Sequence, residues 1–558
     1  WADWVPSDSK PFISNGAQAT ITKKQPPSHT EKPSKAGRGK ALKQIIASLI
    51  VNLGTINTGM VFGFSATVLP QLKSNESSIH VTDTEASWIA SLSSVGTPVG
   101  CILSGYLMDA IGRRITLLIT EVPLILGWLL IAFASNVPMI YCGRLFVGLG
   151  SGMVGAPARV YTCEVSQPHL RGMLGALASV GVSTGVMIQY AIGSATTWNV
   201  LAGVSSIIPM LSLLGMFLLP ETPNYLLTQD KVEKAQKSLI KLRGSTCDVD
   251  GEIQRMITFK EKNQVEPILV FIDLTTIIKA LLSPSALKPF TILALYFFVY
   301  QWCGVNTVTF YAVEVFEASG ATLNKYWLTI SMGIVRLMFT VVGCILCRKC
   351  GRRPLTFVSS IGCGSMMIVL SVYLYYVKQW KEMGVPPTHS WIPVAAIFIF
   401  TIACTLGFLI VPWVMIGEVY PTQVRGIVGG MTTCVAHLSI FSVVKTFPFF
   451  KHTLQDYGVF GLYGAITMAG KIFIPLWHYM CAVVCCSPLP ILSQSLIPNP
   501  TKIGMDRHPM THFHIFFTGT IFFYFFLPET KGKTLQEIED YFCGRTKTLN
   551  KPKTQELA

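Results

Sequence analysis

Charge is scarce in this sequence. Asp, Glu, Lys and Arg make up 13% of its 558 residues and the hydrophobic types 51%, whereas a soluble domain carries about 25% charged residues. A soluble chain of this length would need two or three domains with charged surfaces. A lipid-facing surface is therefore the expected place for the apolar residues. The fifteen cysteines lack zinc or disulfide spacing and mostly sit inside apolar runs, so they read as small packing residues. No Gly-x-x-x-x-Gly-Lys-Ser/Thr loop occurs, which argues against nucleotide-driven work. No nucleophile–base or metal spacing stands out, so neither an enzyme, a cofactor nor a metal is expected. Residues 1–40 are polar and low in aromatics, and a disordered tail is expected over 1–43.

What the chain has in abundance is apolar segments of membrane length. A helical span needs about 20 mostly apolar residues. Such stretches fall near 44–68, 87–108, 115–134, 138–162, 172–194 and 200–219, then 290–312, 325–347, 355–377, 391–416 and 427–449. A final, interrupted span follows. None alternates as a barrel strand does. The long polar interval 220–289 divides the spans into two sets of six.

The net charge of +15 does not point to nucleic acid, because its distribution is the positive-inside one. Much of it lies in the tail (Lys23, Lys24, Lys32, Lys35, Arg38, Lys40, Lys43) and in loops after every second span. The tail and the 220–289 linker are thus placed inside, with both termini cytoplasmic. The loop 69–86 then lies outside, where Asn75-Glu76-Ser77 is a glycosylation sequon.

The two halves echo each other. Pro220-Glu221-Thr222-Pro223 returns as Pro528-Glu529-Thr530-Lys531, and Gly112-Arg113-Arg114 returns as Gly351-Arg352-Arg353. Boundary charges recur too: Asp109, Arg113, Arg114, Arg144, Glu164 and Arg171 early, Arg352, Arg353, Glu418 and Arg425 late. Glu164 to Arg171 and Glu418 to Arg425 have the same spacing. Charges near lipid are expensive unless paired, so pairs between opposite halves are expected to act as a cytoplasmic latch. Glycines crowd the fourth and fifth spans, where they allow close helix packing.

These words, in this order, resemble the sugar porter family of the major facilitator superfamily. The matching set adds Gly143-Arg144, Glu164-Val165-Ser166, Leu170-Arg171-Gly172, Pro412-Trp413, Gly417-Glu418, Arg425-Gly426 and Lys531-Gly532-Lys533-Thr534, and it covers nearly everything from 44 to 542. Ala156-Pro157-Ala158-Arg159-Val160-Tyr161 is most similar to the insect facilitated trehalose transporter-like branch. The resemblance implies an all-α membrane protein of twelve transmembrane helices in two pseudo-symmetric six-helix bundles. Its domains would be an N-terminal bundle at 44–219, a cytoplasmic linker at 220–289, a C-terminal bundle at 290–534 and a cytoplasmic tail at 535–558.

The family's sugar-binding glutamine and asparagine fall on Gln301 and Asn306, and its stacking tryptophan on Trp413. On a regular helix, at about 3.6 residues per turn, Gln301 and Asn306 lie within roughly 140° of each other and would flank one cavity. Tyr300, Tyr311, Ser179, Arg336 and His437 are further expected contacts. Tyr300 and Ser179 stand where the family usually carries glutamines, and Arg336 replaces an asparagine. Arg348 stands where the family often has an acid. These departures suit a polyol other than a hexose, such as a disaccharide. A mid-span guanidinium should face a cavity or pair with an acid, and Glu121 is the most apolar-embedded candidate partner of Arg336.

Proton-driven members carry an Asp in the first span. Here the corresponding words are Gly63-Phe64-Ser65, and the span holds no acid. The resemblance therefore implies a uniporter of trehalose or a related sugar in the plasma membrane, acting as a monomer among lipids. A hexose transporter and a non-transporting membrane sugar sensor are the alternatives. The interruption of the last span has its own expectation. Removing 471–519 joins residues 461–470 to 520–528 in one span of normal length, and codons for Gly470-Lys471 and Phe516-Phe517-Thr518-Gly519 can form splice signals. Residues 471–519 are thus expected to be translated intron, with a real insertion as the alternative.

Overall fold

The computed structural model describes residues 41–74, 79–244, 249–262, 284–321, 323–420 and 425–469, together with 523, 527–530, 538, 541 and 542. Among the described residues, eleven helices are long and apolar enough to cross a membrane. The first six are α1 (Ala41–Leu72), α2 (Asp83–Ala110), α3 (Arg113–Ala132), α4 (Val137–Val165), α5 (Leu170–Gly193) and α6 (Trp198–Leu218). Three short helices, Pro223–Thr228, Val232–Arg243 and Val249–Lys262, lead away from them. The second set is α7 (Ala286–Phe310), α8 (Lys325–Cys350), α9 (Arg352–Glu382), α10 (Trp391–Val419) and α11 (Ile427–Met468). The last of these turns sharply at Gln455, where φ is 60°. Residues 456–469 beyond the turn open the twelfth segment. Asn75 and the suspected insertion 471–519 lie outside the described residues.

Local chemistry sets where helices start. Thr82 closes a reciprocal cap with Glu85 at the head of α2, and Asn136 accepts from Met139 at the head of α4. Two of the starts without a side-chain cap follow a left-handed glycine. Gly112 and Gly351, at φ 98° and 91°, precede α3 and α9. There the orphan N–H groups go to a distant carboxylate. Glu221 accepts from the backbone of Arg113 and Arg114, and Glu529 accepts from Arg352 and Arg353. The repeated Pro-Glu-Thr words are thus long-range helix caps. Burial raises the Glu221 carboxyl above its ordinary range, and the N–H donors of Thr222, Arg114 and Arg113 pull against it.

Glycine decides how closely the N-terminal helices approach. A Cβ on Gly185 would sit 1.9 Å from the Ile56 carbonyl oxygen, and one on Gly148 would sit 2.1 Å from that of Ser93. Backbones in contact replace the missing hydrophobic force between helices in lipid. Between the halves, α5 meets α8 through Ser183 and Thr340, whose hydroxyls are 2.8 Å apart. Tyr190 also donates to the Thr309 carbonyl. α2 meets α11 where Trp88 packs on Phe441.

Candidate functional site

The site is built on two broken helices of the C-terminal half. α7 widens into a π-turn over Gln301–Val305, with Gly304 at φ 92°, and breaks again at Tyr311. α10 stops at Leu406 and restarts at Val411 ahead of Pro412. Irregular backbone at membrane depth needs new partners. Ser359 supplies one: its hydroxyl donates to the Ala403 carbonyl and accepts from the Phe408 N–H.

The break in α7 changes the expected placement of its amides. They lie close enough to bond each other. Asn306 Nδ2 donates directly to Gln301 Oε1, because the widened turn brings the side chains together. Trp413, half-buried on α10, packs edge-on to Phe297 at 4.9 Å and lies 5.9 Å from the His437 ring. Across the divide, the Arg159 guanidinium from α4 sits 5.4 Å from the Trp413 ring centroid. This cation–π contact joins the halves, and Arg159 was not among the expected site residues. The Ala156–Tyr161 stretch was the only sign of it.

Other expected residues land elsewhere. Tyr300 is buried beside Phe297 and Phe408 in the core of the C-terminal half. Tyr311 donates to the Val444 carbonyl and packs on Phe447, so it ties α7 to α11. His437 Nδ1 bonds the carbonyl of Thr433 one turn back on its own helix. Ser179 is half-buried near the head of α5. Arg336 does not pair with Glu121. It donates to Thr309 Oγ1 at 2.8 Å and lines a small cavity with Thr401, Cys404 and Thr405. Glu121 is buried in the other half, where the Ser212 hydroxyl donates to it. Each group faces the core of its own bundle, which keeps them apart.

The charge pairs also differ from expectation. They close within each half rather than between halves. Arg113 reaches Glu164 at 3.2 Å and Asp109 at 3.8 Å, and lies over the Tyr225 ring. Arg352 grips both oxygens of Glu418, which also accepts from Thr530. Arg114 caps the last carbonyls of α6 at Met216 and Phe217, and Arg171 reaches the Cys163 carbonyl rather than Glu164. Arg353 meets Glu529 through its backbone. The Arg425 side chain lies outside the described residues. One contact at this end does cross: a Cβ on Gly172 would lie 3.0 Å from the Arg348 guanidinium carbon.

Arg144 is not at that end at all. It sits about 30 Å along α4 from Glu164, at about 1.5 Å per residue, and is fully buried. Its guanidinium donates to the carbonyls of Val61, Ile89 and Ala90 and to the hydroxyls of Ser65 and Ser93. Among the described residues, the ion pair that joins the halves is at this far end, where Lys73 meets Glu314 at 3.2 Å. Lys445 adds a bond to Ser87 Oγ and lies 3.8 Å from the Trp88 ring centroid.

Comparison with known proteins bears on this arrangement. A family model described as sugar (and other) transporter matches residues 46–485. The facilitated trehalose transporter Tret1 of Culex quinquefasciatus is 29% identical over 510 residues, covering 91% of this chain and 87% of that protein. The protein of that name from Apis mellifera ligustica is 30% identical over 508 residues, covering 90% and 88%. Trehalose transporter 1 of Drosophila melanogaster is 30% identical, and the chain spans 52% of its length. Among solved structures, the inward-open xylose transporter XylE from E. coli superposes with a TM-score of 0.64 at 20% identity, over 88% of this chain and 98% of that one. A partially occluded inward-open form gives 0.63 at 19% identity, over 79% and 98%. Those structures share the paired helical bundles seen here, and the sequence matches run through both bundles: the chain belongs to the sugar transporter family and has the major facilitator fold.

Proposed function

We propose that this chain is a facilitative carrier of trehalose or a related sugar, working by alternating access in the plasma membrane with both termini in the cytoplasm. One observation carries the uniport part. Ser65 stands where a proton-coupling acid would be, and Arg144 is satisfied there by hydroxyls and carbonyls alone. No carboxylate is present in α1 to carry a proton.

Broken helices near mid-membrane are the usual place for a transporter's substrate site. A sugar needs neutral donors and acceptors with an aromatic face, and Gln301, Asn306 and Trp413 offer that set. The amide pair bonds to itself, and sugar hydroxyls would replace that bond. Arg159 and His437 flank the Trp413 ring. Contacts of Lys73 with Glu314 and of Lys445 with Ser87 join the halves at the far end.

The test is labelled trehalose uptake into vesicles, with unlabelled glucose as competitor and with or without an imposed pH gradient. It is run on the chain with and without 471–519. Saturable uptake that stops at equilibration and ignores the gradient is expected. Accumulation driven by protons would overturn uniport, and surface-expressed protein that moves neither sugar would overturn the substrate class. Equal uptake by both forms would remove the intron reading.

A further inference from the structure

Sequence spacing gives the cysteines no metal signature, yet the fold gathers three of them. Cys303 from the π-turn of α7, Cys363 from α9 and Cys404 from the end of α10's first segment are all buried, with their sulfurs within 4.8 Å of one another. They come from three helices and far-apart stretches of chain. We propose that Cys303, Cys363 and Cys404 form a binding site for a soft monovalent metal ion, copper(I), inside the C-terminal half.

Distance fits this reading. Metal–sulfur bonds of about 2.3 Å to three ligands set the sulfurs about 4 Å apart, so the site closes with movements below about 1 Å. Ligand type selects the ion. Among the described residues no histidine or carboxylate joins the group, as a hard or borderline ion would favour. Instead Met367 stands one turn beyond Cys363, and a Cβ on Gly304, next to Cys303, would lie 3.2 Å from its methyl. Thiolate and thioether donors together favour copper(I).

Charge fits as well. Arg336 lines a cavity with Cys404, its Nε has no hydrogen-bond partner, and it makes no ion pair among the described residues. Binding one copper(I) while two thiols lose their protons gives two thiolates, one thiol, one Cu⁺ and one guanidinium. That assembly is neutral, which a buried site requires. Two protons are released and no redox step occurs. Cys303 lies between Gln301 and Asn306, so a bound ion would fix the break that positions both amides.

The experiment uses the full chain, reduced and in lipid nanodiscs, titrated with copper(I) against a colorimetric copper(I) chelator. One tightly held copper per chain is expected. Cys363→Ser and Cys404→Ser should each weaken retention at least tenfold, while Cys142→Ser and Cys350→Ser, at exposed positions, should not. X-ray absorption on the wild-type chain carrying one equivalent should show only sulfur neighbours at about 2.3 Å. That spectrum needs no variant, so it decides the matter even if a substituted chain misfolds. Nitrogen or oxygen neighbours, equal retention by Cys363→Ser, or retention of zinc without copper would each overturn the site.

Discussion

The two halves of this carrier use glycine for opposite ends. In the N-terminal half α1 and α4 run unbroken for 32 and 29 residues, and glycines such as Gly185 and Gly148 let backbones touch. In the C-terminal half the corresponding helices, α7 and α10, are interrupted at Gly304 and Gly407. One half is thereby a tightly joined frame, and the other carries the freed polar groups and the expected sugar contacts. The same residue type, repeated in both halves, gives rigidity where it faces a backbone and a bend at Gly304, where φ turns positive.

The sharpest break of that contrast is Gly185→Val. Its side chain would enter the Ile56 backbone, and overpacking of this kind costs about 1–3 kcal/mol or more. We expect loss of most folded protein, read as yield and as Tm in detergent. Gly304→Ala comes next. An alanine held at positive φ costs about 1–3 kcal/mol, and relieving that strain would re-form the helix and separate Gln301 from Asn306. Sugar uptake should fall at least tenfold while folded protein remains; unchanged uptake would remove the break from the mechanism.

Gln301→Ala and Gln189→Ala sharpen the comparison further. Gln189 bonds Ser205 inside the N-terminal frame, so its loss should lower Tm and leave the KM for sugar alone. Gln301→Ala should raise KM about tenfold, which is about 1.4 kcal/mol, with little change in Tm. Glu221→Gln and Glu529→Gln should cost similar amounts, about 0.5–2 kcal/mol each as lost helix caps. A large difference in their Tm would show that the halves do not share the device. Arg348→Ala should have the smallest effect. It removes one crossing contact over Gly172 at an exposed end, where such interactions contribute about 0–1 kcal/mol, and should alter turnover more than KM.

The repeated words were legible because they carry local and composition-level information. Apolar run length predicts the spans to within a few residues, as Arg352–Glu382 against 355–377 shows, and the Gly-Arg-Arg and Pro-Glu-Thr echoes mark the paired halves. Partner choice was not legible. Equal spacing of Glu164 to Arg171 and of Glu418 to Arg425 suggests a latch between halves, but spacing along a chain does not say which side chain an arginine reaches. Arg113 and Arg352 find acids inside their own bundles, and Arg171 finds a carbonyl. Arg159 was missed for a similar reason: nothing local distinguishes it from an anchoring charge until Trp413 is placed opposite.

Sequence alone determined that this chain crosses a membrane as helices in two related sets, since lipid demands long apolar runs with internally bonded backbone. It also determined the family, through ordered motifs. Tertiary structure decided that Gln301 and Asn306 touch, that Arg336 faces a cavity rather than Glu121, that Arg144 bonds Ser65, and that three distant cysteines meet. Each of these depends on which helix faces which and on where a helix breaks. Such choices are made by the packing of the whole bundle and leave no periodic trace in any single stretch.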